Sequence, residues 1–353
     1  MKKAITILAA IASLAFCSCV KENNLKDEDS DKGSLIVNVG LKGEPETKAP
    51  TAYTGSLSYE KKVNKVQILV FDSKGRLNNY IDSGTATSSI KIETSIGAKE
   101  IWAVVNGPSL DEILTLDELK TKAIDLSINS TTESEGFIMS GHISTTVSAA
   151  ANNELSITVE RHTARVALQK VTNSLPKAYK QIRIKNVMLT NLVGNQNIEG
   201  SASAETWYNQ MGRVTGTSVQ DQIINGSVSK EASCPSLTFH RIESDLTNSS
   251  VLNPSTPYLL YAYPNKTTTD VTGWSGTFSP RKTRLVVSVE IEGLTYYYPM
   301  TLESFNRNTA YTVELVITGL GSEDPDSPVV KGSCSATIKV ADWVSGSSYE
   351  EKI

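Results

Sequence analysis

The residues with the clearest chemical prospect stand near the start of the chain. Cys17 and Cys19 close a segment that opens with Met1-Lys2-Lys3 and runs uncharged from Ala4 to Phe16. A positive start, an apolar middle and a small-residue end form an export signal with a cleavage site. The apolar run of 13 residues falls well short of the ~20 that a membrane-crossing helix needs. The chemistry expected is attachment of a lipid to Cys19. Ser18 is the small residue before it, which a signal peptidase passing backbone through a narrow site requires. Acylation at Cys17 would place bulky Phe16 there, although Leu14 would then fall at the favoured position three before the cysteine. An ordinary secretory signal with two incidental cysteines is the plainer alternative. Residues 1–18 are read as the signal peptide and 19–32 as a polar tether, because Val20 to Lys32 is mostly Lys, Glu, Asp, Asn and Ser and cannot bury enough area to order itself. Its acidic residues Asp27, Glu28, Asp29 and Asp31 are a solvated run or, alternatively, a sorting label for the outer face.

Elsewhere the reactive residue types are scattered. Cys234 and Cys334 sit beside Ser, Gly or Pro. A disulfide between them is permitted outside the cytoplasm, and spacing alone does not establish it. The three histidines, His142, His162 and His240, have no His or Cys neighbour at metal-ligand spacing. His162 is expected at the surface or at a boundary. The S-x-x-K matches, Ser174 to Lys177 and Ser227 to Lys230, lack the S-D-N or K-T-G element that gives that motif meaning. The acidic loop Glu323, Asp324, Asp326 lacks the spacing of a calcium loop. A non-enzyme without cofactor or metal is therefore expected. Net charge is −4 with no basic cluster, which argues against nucleic acid as a partner.

The elements that position these residues read as mainly β. Past residue 33, β-branched and aromatic residues alternate in short runs divided by Gly, Asn, Asp, Ser and Pro. Leu35, Val37, Val39 and Leu41 form one apolar face of a first strand, and Pro45 and Pro50 then make an exposed loop. Further strands are predicted at 63–71, 77–81, 90–92, 100–106, 137–140, 155–159 and 164–168. A helix is expected from Ser109 as cap through Leu119. Thr172-Asn173-Ser174-Leu175-Pro176 is the best domain boundary. A second β-rich half follows, with strands at 182–189, 258–263, 285–291, 294–298 and 311–317, and a last one at 336–343.

Four stretches carry a family resemblance: Lys65-Val66-Gln67-Ile68-Leu69-Val70-Phe71-Asp72, Ile101-Trp102-Ala103-Val104-Val105-Asn106, Val159-Glu160-Arg161 with Arg165-Val166, and Arg307-Asn308-Thr309-Ala310-Tyr311. In this order, after a lipoprotein signal and before Val340-Ala341-Asp342-Trp343, the chain resembles the FimA-like fimbrillins, the lipoprotein subunits of type V pili. The resemblance implies two β-sandwich domains in a transthyretin-like arrangement, at 49–175 and 176–353. It implies a structural subunit, stalk or tip, of an adhesive surface pilus whose partners are other copies or related pilins. It also implies passage through the lipoprotein-processing machinery to the outer membrane. A trypsin-like surface protease then removes the N-terminal strand, and a C-terminal strand of another subunit fills the groove.

Mapped here, the excised part is 33–48, carrying Leu35, Val37, Val39 and Leu41, and the cut falls between Lys48 and Ala49. Lys42 lies too near the strand, and no arginine precedes Arg76, so a lysine-tolerant protease is required. Excising such a strand leaves an unpaired edge that recruits a matching strand. Its four aliphatic side chains correspond to on the order of 6 to 12 kcal/mol before ordering costs. The donor would come from 335–353. Ile338 and Val340 point one way and Ala341 and Trp343 the other, which allows either a bulge or two short strands. The competing reading is a monomeric surface lipoprotein that stacks sugar rings on Tyr258, Tyr261, Tyr263, Tyr296, Tyr297, Tyr298 and Trp274.

Overall fold

The computed structural model describes residues 32–42, 57–132, 134–149, 153–179, 181–200, 206–209, 236–268, 281–303, 305–330, 332–343 and 348–352. In the first half the elements are β1 (Lys32–Leu41), β2 (Val66–Asp72), β3 (Leu77–Asp82), β4 (Ser89–Ser95), β5 (Gly97–Val105), α1 (Leu116–Thr121), β6 (Ala123–Asp125), β7 (Met139–Val147) and β8 (Asn153–Arg161). The second half supplies β9 (Ala164–Asn173), β10 (Gln181–Thr190), β11 (Leu192–Val193), β12 (Asn195–Asn197), β13 (Trp207–Tyr208), β14 (Phe239–Thr247), β15 (Val251–Leu252) and β16 (Tyr258–Ala262). It ends with β17 (Arg284–Ile291), β18 (Leu294–Thr301), β19 (Thr309–Ile317), β20 (Cys334–Asp342) and β21 (Ser348–Lys352). The chain is mainly β, with one short α-helix among the described residues.

The first half forms a sheet in the order β3-β2-β5-β7-β8-β1-β4. β7 and β8 share only two residue pairs, Met139 with Arg161 and Ser140 with Glu160. The sheet folds over at that narrow join, and its layers close on a core that includes Leu35, Val37, Ile68, Val70, Ile101 and Ile157. β2 and β5 are buried on both faces, so they read as continuous apolar runs. Their outer residues Leu69, Phe71, Trp102 and Val104 join Leu119 of α1, Leu126 and Phe137 in a core that continues into the second half. There, β14-β10-β17-β18 faces a sheet in which β9 is flanked by β19 on one side and by β15 and β16 on the other, with β20 and β21 beyond β19.

Two expectations are corrected. β9, assigned from sequence to the first domain, pairs with β15, β16 and β19 of the second. By strand pairing the changeover falls at Arg161-His162-Thr163 rather than at 175/176. Thr172 and Asn173 instead end β9, and the segment beginning at Ser174-Leu175-Pro176 leads from β9 to β10, between the two sheets of the second half. The real crossing has no Gly or Pro to mark it. The helix is also shorter than expected. Ser109 Oγ donates to Asp111 rather than capping a helix, and α1 begins after Thr115, whose side chain and Glu118 form a reciprocal capping box.

Candidate assembly groove

β1 lies between β4, to which it is antiparallel, and β8, to which it is parallel. Leu35 stands opposite Ile92 on β4 and Asn153 on β8, and Val37 opposite Ile90 and Leu155. Alternation sends Leu35 and Val37 fully into the core, while Val39 and Leu41 are half-buried against it. Asn38 Nδ2 donates to Glu154 Oε1 at 2.8 Å, and Asn153 Nδ2 donates to the Ser34 carbonyl at 3.1 Å. Just past the strand, the Lys42 amide donates to the Val159 carbonyl at 2.9 Å, and the Lys42 ammonium pairs with Glu160. Burial pushes the Glu160 carboxyl up, but Lys42 and Arg307 outweigh it and hold the group below its ordinary value. Gly33 marks the tightest point, since a Cβ there would stand 2.7 Å from Val147 Cγ1 and 2.9 Å from the Ser148 carbonyl oxygen.

Among the described residues, β4 has a backbone ladder with β1 alone. Across its other edge, side chains of β3 close the seam. Asn79 Nδ2 donates to the Glu93 carbonyl at 2.6 Å, and Asn78 Oδ1 accepts from the Ser95 amide at 2.9 Å. β4 therefore has a hold on the domain that does not pass through β1.

Downstream of the expected cut, the chain is anchored by a buried charge. Tyr59–Lys61 form a 3-10 turn, and the Glu60 carboxylate within it is fully buried. It accepts from Arg165 Nη1 at 2.9 and 3.1 Å, from Tyr261 Oη at 2.6 Å and from the Leu57 amide at 2.6 Å. Arg161 Nε donates to the Glu60 carbonyl at 2.7 Å, and its guanidinium lies 4.5 Å from the centre of the Trp343 ring. Trp343 also packs on Phe137 and Tyr261.

The pairing of Ser140 and His162 has the look of an activated hydroxyl, with Ser140 Oγ 2.8 Å from His162 Nε2. The hydrogen-bond network assigns the opposite polarity. Gln196 Nε2 donates to His162 Nδ1 at 3.0 Å, which leaves the ring proton on Nε2, and Ser140 donates to the Ile198 carbonyl at 3.1 Å. Both side chains are sealed from solvent. Burial, and then the charge of Arg307, hold His162 neutral. His162 is thus a fully buried residue at the domain crossing, which excludes the surface alternative of the expected surface or boundary position.

The family profile described as Major fimbrial subunit protein (FimA) matches residues 34–219, which is more than half of the chain. The chain belongs to the FimA family. Among curated relatives, the major fimbrium subunit FimA type-2 of Porphyromonas gingivalis is 23% identical, covering 97% of this chain and 98% of that protein. A fimbrilin structure from P. gingivalis W83 covers 89% of this chain and 98% of its own, with 15% identity and a TM-score of 0.61. A Bacteroides eggerthii protein provisionally assigned to cell adhesion covers 89% and 97%, with 17% identity and a TM-score of 0.64. The solved structures support the fold, and the profile carries the family.

The residues named from sequence fall unevenly on this FimA-family fold. Leu35, Val37, Val39 and Leu41 come together on β1. Cys19, Lys48, Ala49, Cys234 and Trp274 lie outside the described residues. Ile338 and Val340 are buried in β20, which runs antiparallel to β19 in unbroken register. There is no bulge in that ladder. Ala341 and Trp343 are buried too, because the other face of the strand end meets the Glu60 cluster. β21 then pairs with β20 as a separate strand. The sugar-stacking tyrosines do not form one platform. Tyr261, Tyr263 and Tyr298 are fully buried, with hydroxyls given to Glu60, the Asp125 carbonyl and the Gly319 carbonyl. Sequence reasoning passed over Glu60, because a single acidic residue before two lysines looks like solvated surface.

Proposed function

We propose that this chain, a member of a family of structural pilus subunits rather than enzymes, is exported as a lipoprotein acylated at Cys19, reaches the outer membrane, and is cut after Lys48 by a trypsin-like protease. It then polymerises with copies of itself or related pilins by strand exchange, and the pilus serves adhesion. The observation that carries the reading is the position of β1. It is the first strand among the described residues yet sits inside its sheet, with β4 and β8 on either side. A cut between β1 and β2 frees it without interrupting any other described strand, and its loss exposes two ladder edges above an apolar core. With two side chains fully buried and two half-buried, the apolar contribution of the strand is roughly 4 to 9 kcal/mol. The Asn78 and Asn79 contacts keep β4 in place while the slot is empty, and the Glu60 anchor retains the chain downstream of the cut. N-terminal sequencing of surface-shed material tests the proposal. A start at Ala49, and a Lys48→Ala variant that reaches the surface lipidated but unpolymerised, are the expected results. Normal polymer ladders from Lys48→Ala would sink the assigned site.

A further inference from the structure

We propose that the loop at 319–328 is a latched strap occupying the free edge of β18, and that with the strap lifted β18 pairs edge to edge with β18 of a second copy. This contact is independent of strand exchange and uses a different strand. A sheet edge presents unpaired amides and carbonyls to any strand that fits. The sheet β14-β10-β17-β18 has two such ends, and the chain treats them differently. β14 carries Arg241, Glu243 and Asp245, and a register break against β10 puts Glu243 at φ +51°. Charges and a bulge of this kind block pairing from within the strand. β18 reads Leu-Thr-Tyr-Tyr-Tyr-Pro-Met-Thr, with no charge and with regular pairing to β17 over all eight residues. Leu294 at its start is 62% exposed. An uncharged, β-prone edge is an association hazard, and Pro299 removes only one of its donors.

The strap supplies the missing protection. The Tyr297 amide donates to the Ser322 carbonyl at 2.7 Å, and the Ser322 amide donates to the Tyr297 carbonyl at 2.9 Å. Both outward backbone groups of Tyr297 are thereby spent on the strap. Gly321 permits the approach, since a Cβ there would stand 2.6 Å from the Tyr297 carbonyl oxygen and 3.0 Å from Tyr298 Cζ. At the base, the Thr318 and Gly319 amides donate to the Ser333 carbonyl at 2.9 and 2.7 Å, and Tyr298 Oη donates to the Gly319 carbonyl at 2.8 Å. At the tip, Asp326 is buried between Arg281 and Arg284 and accepts from Asn191 Nδ2 at 3.3 Å. Asn191 follows β10 and Arg284 opens β17, so the latch ties the strap to the interior strands of the same sheet. Between base and tip, the exposed Glu323 and Asp324 put negative charge beside the edge. Asp324 adds to burial in holding the Tyr297 hydroxyl above its ordinary value. The charge that β18 lacks in its own sequence is provided by the strap.

With the strap away, the outward residues of β18 are Thr295, Tyr297, Pro299 and Thr301, which alternate with those bonded to β17. An antiparallel pair of β18 strands centred on Tyr297 sets Thr295 of each copy opposite Pro299 of the other. Every outward donor from Thr295 to Pro299 then finds an acceptor, so the proline does not block the pairing. The full chain, purified in detergent, is compared with Gly321→Val, Asp326→Asn and the double variant Gly321→Val/Thr295→Lys. Amide exchange at Tyr297 is read on dilute protein, and self-association by sedimentation velocity over a concentration series. Gly321→Val and Asp326→Asn are each expected to speed Tyr297 exchange and to strengthen self-association by about tenfold or more. Thr295→Lys in the Gly321→Val background is expected to return self-association to the parent level while Tyr297 exchange stays fast, because a charge on an edge strand blocks pairing. Faster exchange with parent-level association in both single variants overturns the protective role. Unchanged exchange in both overturns the strap itself. Association that persists with Thr295→Lys, as it would for a misfolded variant that aggregates, overturns the assignment of the contact to β18.

Discussion

Glu60 is a carboxylate with no exposed surface, and its stability depends on Arg165, the Tyr261 hydroxyl and the Leu57 amide. Breaking a buried ion pair from one side leaves the partner charge inside the protein. Glu60→Gln is therefore expected to destabilise the fold by about 3 to 5 kcal/mol in urea unfolding, with Tyr59 and Trp343 loosened together. His162 gives a pH signature. Its folded-state affinity for protons lies well below the ordinary value because of burial and then Arg307. Below the unfolded value of about 6.5 the unfolded chain binds a proton that the folded chain does not, so stability is lost as pH falls. From this group stability is expected to fall by about 1 kcal/mol between roughly pH 6.5 and 5.5, the slope approaching about 1.4 kcal/mol per pH unit below that window. Urea unfolding at those two pH values checks it, and His162→Gln should remove that slope whatever its effect on stability at neutral pH. Neither residue announced its role in the sequence. A glutamate and a histidine beside charged neighbours look solvated until packing shows what covers them.

At the scale of elements, β1 was legible because its alternation spans a whole strand and Pro45 and Pro50 follow it in the sequence. The closing contact at its far end was not. Lys42 and Glu160 are far apart in sequence and meet only because β1 and β8 run parallel. Glu160 is held below its ordinary value by Lys42 and Arg307 against the opposing effect of burial. Its contribution is present above the unfolded carboxylate value of about 4.3 and is lost as pH falls below it. If the chain is cut between β1 and β2 as proposed, the N-terminal fragment is expected to leave several-fold faster at pH 4 than at pH 7, measured by its separation from the rest of the subunit. Lys42→Ala should speed release at pH 7 and flatten that dependence. The boundary at 172–176 shows the opposite failing. Its polar residues include the last two of β9, and such residues mark where a strand ends, not which sheet the next one joins.

For the whole molecule, an empty slot should be measurable as lost cooperativity. A processed subunit held unpolymerised is expected to unfold its first domain some 4 to 9 kcal/mol more easily than the precursor, and assembly should restore that stability. Scanning calorimetry of precursor, processed monomer and polymer checks this, and identical transitions in all three would contradict it. The sequence by itself determined the β class, the core face of β1, the family resemblance and the absence of a recognisable catalytic motif, because each is written in local periodicity or in short ordered motifs. Only the tertiary structure decided that β1 is flanked on both sides, that β9 belongs to the second sandwich, and that Glu60 joins the chain just before β2 to Trp343 at the end of β20. Those facts depend on which distant segments meet. Strand partnership comes from pairing and packing across the whole chain, and no local pattern of residue types encodes it.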